Sequence, residues 1–169
     1  MLYQLGPLRQ FAGQMTVELE AEAPPGTGAV VTGPVRGTLH LANTDSGIAV
    51  RGTLLVRLEL ECGRCLKIFE DTIEIEVNEI CALRQVDDPE AYAESEDEPS
   101  QIPILSGDEL DLTELVRQLI AMNLPLRPLC RDDCPGLCLR CGKDLNEGPC
   151  ECSKPEPDSR WAALKNLKF

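Results

Sequence analysis

An α+β fold is predicted for this chain: an antiparallel sheet or partial barrel first, then a helix packing on it, then a small cysteine-rich module. Three observations predict it. Apolar and polar residues alternate with a period of two through the first half of the chain. A helical pattern of apolar residues emerges only after the strands have ended, which is the order of an α+β protein. Eight of the nine cysteines fall in close pairs, six of them beyond residue 129.

The strands come first. Residues 15–21 and 29–77 read as β structure. Val50, Leu54, Val56, Leu58 and Leu60 share one parity while Arg51, Thr53, Arg57 and Glu59 hold the other, which is the signature of a half-buried strand. Ile73, Ile75 and Val77 alternate with Glu74 and Glu76 in the same way. Between two such segments, Asn43, Thr44, Asp45, Ser46 and Gly47 supply turn residues that tolerate positive φ, so a long antiparallel hairpin is expected. Pro24, Pro25, Gly26 and Gly28 interrupt the first strand region, and Gly33 with Pro34 mark a turn or an edge bulge. The β domain is accordingly drawn as residues 1–83.

An acidic loop is expected over residues 84–110, where the stretch 87–99 has few apolar residues. Asp111, Leu112, Thr113 and Glu114 have the form of a capping box. A helix is expected to begin at Leu112 within residues 111–126, with an apolar face of Leu112, Leu115, Val116, Leu119, Ile120 and Met122, and to stop at Pro125. Residues 127–169 form the cysteine-rich module, ending in a second helix from Ser159 to about Leu167 that Asp158 opens and that carries Trp161, Leu164 and Leu167.

The net charge is −13 over 169 residues, and it is unevenly placed. Between Glu70 and Glu114 there are sixteen acidic residues against Arg84 alone. From Arg127 onward eight basic residues face seven acidic ones. Such a chain is repelled by phosphate over most of its surface, so any contact with nucleic acid is expected only at a local basic patch, for which Arg127, Arg131, Arg140 and Lys143 are the candidates. Basic proteins are better partners. The first residues lack the basic start and apolar run of a secretory signal, and no apolar run is long enough for a bilayer, so a cytoplasmic location and no membrane are expected.

In a reducing cytosol, clustered cysteines read as metal ligands rather than disulfides. Cys138-x-x-Cys141-Gly142 has the spacing of a zinc knuckle, in which a tight turn aims two thiolates at one ion and the glycine relieves crowding near the sulfurs. Cys150 and Cys152 follow across a turn-rich stretch and complete a first Zn2+ site locally. Cys62-x-x-Cys65 lies at the end of the best strand; Cys130 and Cys134 would then close a second site. Other partitions are compatible with the spacing, including Cys62 and Cys65 with Cys138 and Cys141, or Cys130, Cys134, Cys138 and Cys141 together. Four thiolates also suit iron–sulfur clusters. Cys81 is left as an ordinary buried thiol.

Catalytic constellations are missing from the sequence. His40 is the one histidine, in a strand context, and there is no phosphate loop or nucleophile elbow. A redox Cys-x-x-Cys wants its first thiol at a helix amino terminus, whereas Cys62 follows a strand. A non-enzymatic protein without a small-molecule substrate is therefore expected, with thiol redox or metal-sensing regulation as the alternative.

Three stretches carry a resemblance to a known family: Glu61-Cys62-Gly63-Arg64-Cys65-Leu66, Asp111-Leu112-Thr113-Glu114 leading into Leu124-Pro125-Leu126, and the tail from Cys130 to Cys152 with Asp158-Ser159-Arg160-Trp161 after it. Over residues 41–167 the sequence resembles the YceD family of large ribosomal RNA subunit accumulation proteins. The resemblance implies a part in the synthesis, processing or stability of large-subunit ribosomal RNA in bacteria and plastids, and no known reaction. It implies ribosomal proteins or pre-ribosomal large-subunit particles as partners. Members vary in the tail, some lacking most of its cysteines, so Cys62 and Cys65 are the more general feature and a tail metal would be a structural staple.

Overall fold

The structure is a computed structural model that describes residues 1–4, 6–9, 13–44, 47–85, 101–105 and 109–152. The strands are β1 (Leu2–Gln4), β2 (Gln14–Ala21), β3 (Val30–Val31), β4 (Val35–Thr44), β5 (Gly47–Glu61), β6 (Ile68–Gln85), β7 (Gln101–Leu105) and β8 (Glu109–Asp111), followed by the helix α1 (Thr113–Met122). Short 3-10 turns occupy Gly6–Arg9 and Leu145–Glu147.

The eight strands form one sheet in the order β1-β8-β7-β6-β5-β4-β2, with β3 paired to β5 beyond the end of β4. Pairing is antiparallel throughout except between β6 and β7. The order has two ends, and no ladder joins β1 to β2 among the described residues.

Alternation translates directly into burial. Ile48, Val50, Leu54, Val56, Leu58 and Leu60 of β5 are buried, and so are Ile75, Val77 and Cys81 of β6, Leu39 and Leu41 of β4, and Val17 and Leu19 of β2. The antiparallel register sets Leu41 opposite Val50 and Leu54 opposite Ile75, so one face of the sheet becomes the core. The helix lays Leu115, Val116, Leu119 and Ile120 into the same cluster. Met122, expected on that face, is 72% exposed, although Leu119 and Ile120 in the same turn are buried.

Several expectations are corrected. Residues 101–105, 109 and 110, read as part of an acidic loop, and Asp111, read as the start of the helix segment, are in strands: Ile102, Ile104, Leu105 and Leu110 supply β-forming residues in pieces too short and too interrupted by Pro103 and Gly107 to show a period. The parallel β6–β7 pair was not foreseen. It needs a crossover of a dozen or more residues, which the intervening sequence is long enough to supply. The capping box does not form as drawn. Asp111 Oδ1 accepts from Thr113 N at 2.9 Å, but the helix starts one residue later and Glu114 pairs forward with Arg117 and Gln118 instead of reaching back. The guanidinium is the stronger attraction, and it holds the Glu114 carboxyl below its ordinary pKa. The acidic stretch 87–99, Asp45 and Ser46 of the turn, and the second helix at Ser159–Leu167 lie outside the described residues.

Candidate metal centres

The hairpin of β5 and β6 pairs without interruption from Ile48 with Cys81 to Glu61 with Ile68. Its connecting turn is Cys62-Gly63-Arg64-Cys65-Leu66-Lys67. Within it, Cys62 N donates to Lys67 O at 2.9 Å and Leu66 N to Cys62 O at 2.9 Å. The same two bonds recur at the second Cys-x-x-Cys, where Cys138 N donates to Lys143 O at 2.8 Å and Gly142 N to Cys138 O at 2.9 Å. The two turns are therefore one motif used twice. Each requires a left-handed residue directly after its second cysteine. Gly142 takes this conformation with φ 72°, as its lack of a Cβ allows, while Leu66 takes it with φ 58°.

Leu66 is the described non-glycine residue with positive φ, and its side chain is 55% exposed, so packing does not compensate the strain. A left-handed L-residue costs roughly 1–2 kcal/mol. Leu66→Gly is therefore expected to raise stability by about 1 kcal/mol, allowing for the greater freedom of glycine in the unfolded chain. Chemical denaturation of the two proteins under identical metal loading checks it; a loss of stability would mean that contacts of the Leu66 side chain outweigh the backbone strain.

The structure brings the sulfurs of Cys62, Cys65, Cys130 and Cys134 within 4.8 Å of one another, and those of Cys138, Cys141, Cys150 and Cys152 likewise. In the first set Cys62 and Cys134 are 3.8 Å apart and Cys65 and Cys130 are 3.7 Å apart. In the second, Cys150 and Cys138 are 3.3 Å apart. A disulfide would need ~2.05 Å. A tetrahedral ion with metal–sulfur bonds of ~2.3 Å sets its sulfurs roughly 3.8 Å apart, so both donor sets fit a single ion. A four-iron cluster interposes its own iron and sulfide between the thiolates and needs them further apart.

The two sets differ in setting. Cys62, Cys65 and Cys134 are buried, with Phe69, Leu129 and Leu137 packed around them. In the second set Cys141 is exposed and the other three are half-buried. The segment bearing Cys130 and Cys134 is strapped to the hairpin turn through four of its backbone groups, one of them Asp132 O, which accepts from the Arg64 guanidinium at 3.3 Å. Gly63 N donates to Pro128 O at 2.8 Å, the Arg64 guanidinium to Cys134 O at 2.8 Å, and Leu137 N to Arg64 O at 3.1 Å.

Backbone N–H groups prepare one sulfur of each set for a cation. Those of Cys130 and Cys65 hold the Cys62 thiol down to about 6, and those of Cys141 and Arg140 do the same for Cys138, also to about 6. The side chain of Asn146 lowers Cys134. Burial pushes Cys130 up to about 12, and the hydrogen bond with Cys141 pushes Cys152 up to about 12. Each set thus contains thiols shifted in opposite directions, and a binding ion displaces whatever protons remain. Cys81 belongs to neither set: burial and Glu79 raise its thiol to about 11.

The four basic candidates lie on the surface of this region. Arg131 pairs with Asp133 at 3.2 Å and Lys143 donates to Pro149 O at 3.0 Å, so those two have local partners. His40 is exposed in β4, where its Nδ1 is 3.0 Å from Thr16 Oγ1. Sequence reading missed Arg64, Lys67, Asp144 and Asn146. One signal was available: an arginine precedes the second cysteine in both turns, as Arg64 and as Arg140.

The fold and these two centres define a mainly antiparallel β protein whose longest hairpin ends in a four-cysteine set able to hold a metal ion, with a second such set beside it in sequence. The family described as "Large ribosomal RNA subunit accumulation protein YceD" matches residues 50–168, and the chain belongs to that family. A chloroplastic protein of Arabidopsis thaliana named large ribosomal RNA subunit accumulation protein YCED homolog 1 is 33% identical over 60 residues, covering 36% of this chain and 19% of its own length. Its namesake in Zea mays is 26% identical over 165 residues, 83% of this chain and 56% of the maize protein. An uncharacterized protein of Mycobacterium bovis is 29% identical over 129 residues, 76% of this chain and 59% of its own length. The chain thus matches little more than half the length of the mycobacterial relative. No solved structure matches, and no described helix is long and apolar enough to cross a membrane.

Proposed function

We propose that this chain is a non-enzymatic factor in ribosome biogenesis that supports the synthesis, processing or accumulation of large-subunit ribosomal RNA, with Zn2+ bracing each cysteine set. The family match over residues 50–168 carries the functional reading, and the plant relatives' names, which speak of large ribosomal RNA subunit accumulation, agree with it. The zinc reading is supported by donor chemistry: four thiolates at tetrahedral spacing suit zinc, which has no redox step of its own. The ions act as staples. One ties residues 130–134 to the end of the β5–β6 hairpin, and the other closes the tail upon itself.

In this reading the acidic surface receives a basic ribosomal protein on a pre-ribosomal large-subunit particle, and Arg127, Arg131, Arg140 and Lys143 make the local contact with RNA. A chain of net charge −13 releases few counterions from RNA, so binding to naked ribosomal RNA is weak and falls with salt. The test is depletion of the protein in its own cells, with sedimentation of ribosomal particles and capture of the tagged chain. A fall in the ratio of large- to small-subunit ribosomal RNA, restored by the intact gene, together with recovery of immature large-subunit particles, is the expected result. An unchanged ratio with capture of thiol reductases alone, and a reversible Cys62–Cys65 disulfide, would replace this reading with thiol-based regulation.

A further inference from the structure

Asn146 lies in the segment joining Cys141 to Cys150, within the second cysteine set, yet its side chain reaches the first. Its Nδ2 donates to Cys134 Sγ at 3.4 Å and to Asp144 Oδ1 at 2.6 Å. Turning the amide over would press its oxygen against a carboxylate and a sulfur, so these neighbours decide its orientation. The Oδ1 left behind is buried without a hydrogen-bond partner. A bond to a neutral thiol is too weak to offset that loss, whereas a bond to a thiolate is charge-assisted. The arrangement suits a Cys134 that is held anionic by an ion.

The segment is fixed in place from both sides. Asp144 caps the 3-10 turn by accepting from Asn146 N at 2.8 Å, and its other oxygen lies 3.7 Å from Lys67 Nζ, two residues beyond Cys65. Leu145 N donates to Gly136 O at 2.9 Å, and Leu137 pairs with Asp144 as an isolated bridge. Gly136 itself sits so close to Arg64 that a Cβ there would meet Arg64 O at 2.9 Å. The loop of one centre is thereby seated on the ligand loop of the other.

We infer that Asn146 couples the two centres: an ion held by Cys138, Cys141, Cys150 and Cys152 fixes the loop that carries Asn146, and Asn146 strengthens the hold of Cys62, Cys65, Cys130 and Cys134 on theirs. The inference rests on the metal-binding reading above. Zinc bound to four thiolates carries a net charge of −2 spread over the sulfurs, and donors to those sulfurs are what a buried centre needs. Coupling of this kind is reciprocal, so loading the first centre also tightens the second. Asn146 is a positioning residue here, since it acts on the ion through sulfur.

Zinc is titrated into the reduced, metal-free full chain, and protection of each cysteine from alkylation is followed by peptide mass spectrometry. Protection of Cys130 and Cys134 reports the first centre; protection of Cys138 and Cys141 reports the second. Asn146→Ala is expected to weaken the first centre by about 10–100-fold. Cys150→Ser with Cys152→Ser, which leaves every ligand of the first centre in place, is expected to weaken it by a similar factor, and adding Asn146→Ala to that pair to change it little further. Asn146→Asp, nearly the same shape with the donor replaced by an acceptor, weakens it more than alanine while far-UV circular dichroism stays native. Protection of Cys130 and Cys134 at the same zinc concentration in every variant would overturn the coupling and leave two independent zinc sites. Absence of protection in the wild type would overturn the zinc reading itself.

Discussion

Cys62→Ser is expected to lower the metal content from two ions per chain to one and to cost more stability than any other single substitution discussed here. Cys62 is fully buried at the end of the hairpin, among Phe69, Leu129 and Leu137. A serine hydroxyl there is a poor ligand for a thiophilic ion, and the three thiolates that remain would repel one another in an apolar surround. The free energy that small structural zinc sites contribute is about 10–16 kcal/mol at neutral pH, so even partial loss is large beside a whole domain's stability of ~5–15 kcal/mol. A loss of at least ~4 kcal/mol, which is about a thousandfold in affinity, is expected at the first centre. Elemental analysis and a chelator competition read the first quantity, and thermal unfolding reads the second. Full retention of two ions would remove Cys62 from the ligand set. Cys141→Ser, at an exposed sulfur of the second set, should empty that centre with a smaller loss of stability, because less apolar contact depends on it.

Gly52→Ala carries the second largest effect, and its cause is backbone rather than metal. Gly52 sits in the middle of β5 opposite Leu39, with φ 154°, and a Cβ there would lie 2.0 Å from Thr38 O. Gly37 is its counterpart on β4, opposite Leu54, where a Cβ would lie 2.1 Å from Thr53 O. Both obstacles are backbone atoms of the neighbouring strand, which cannot rotate away as a side-chain end can. The β4–β5 ladder would have to part locally, in the interior of the sheet. About 3 kcal/mol is expected, or roughly 6–12 °C in Tm for a chain of this size. Thermal unfolding of the metal-loaded variant tests it, and a change below 1 °C would show that the strands open there at little cost. The pair was not evident in the sequence, where each glycine looks like one more small residue inside a β-rich stretch.

That blind spot has a general cause. The pleat of a strand is a local property, so the inward parity of Val50, Leu54, Val56, Leu58 and Leu60 could be read directly and matches the buried set. The apolar face of α1 was legible for the same reason, except at Met122, which is exposed. Strand order is a different kind of fact. The parallel partnership of β6 with β7, and the short β8 lying between β7 and β1, join residues far apart in sequence by backbone hydrogen bonds that carry no residue code. Strands as short as Glu109–Asp111 have no period to detect.

The sequence by itself determined the alternating strands, the helix on their inner face, and four cysteine pairs whose spacing suits ion-binding turns. It left the grouping of those pairs open, because several partitions satisfy the same spacing. Tertiary structure decided the grouping: the β5–β6 hairpin carries Cys62 and Cys65 to its far end, and backbone bonds from Gly63 to Pro128 and from Leu137 to Arg64 bring Cys130 and Cys134 to meet them. The physical reason is reach. Two cysteines three residues apart aim their sulfurs together through one local turn, whereas a set of four drawn from residues sixty-five positions apart exists only after the sheet has formed.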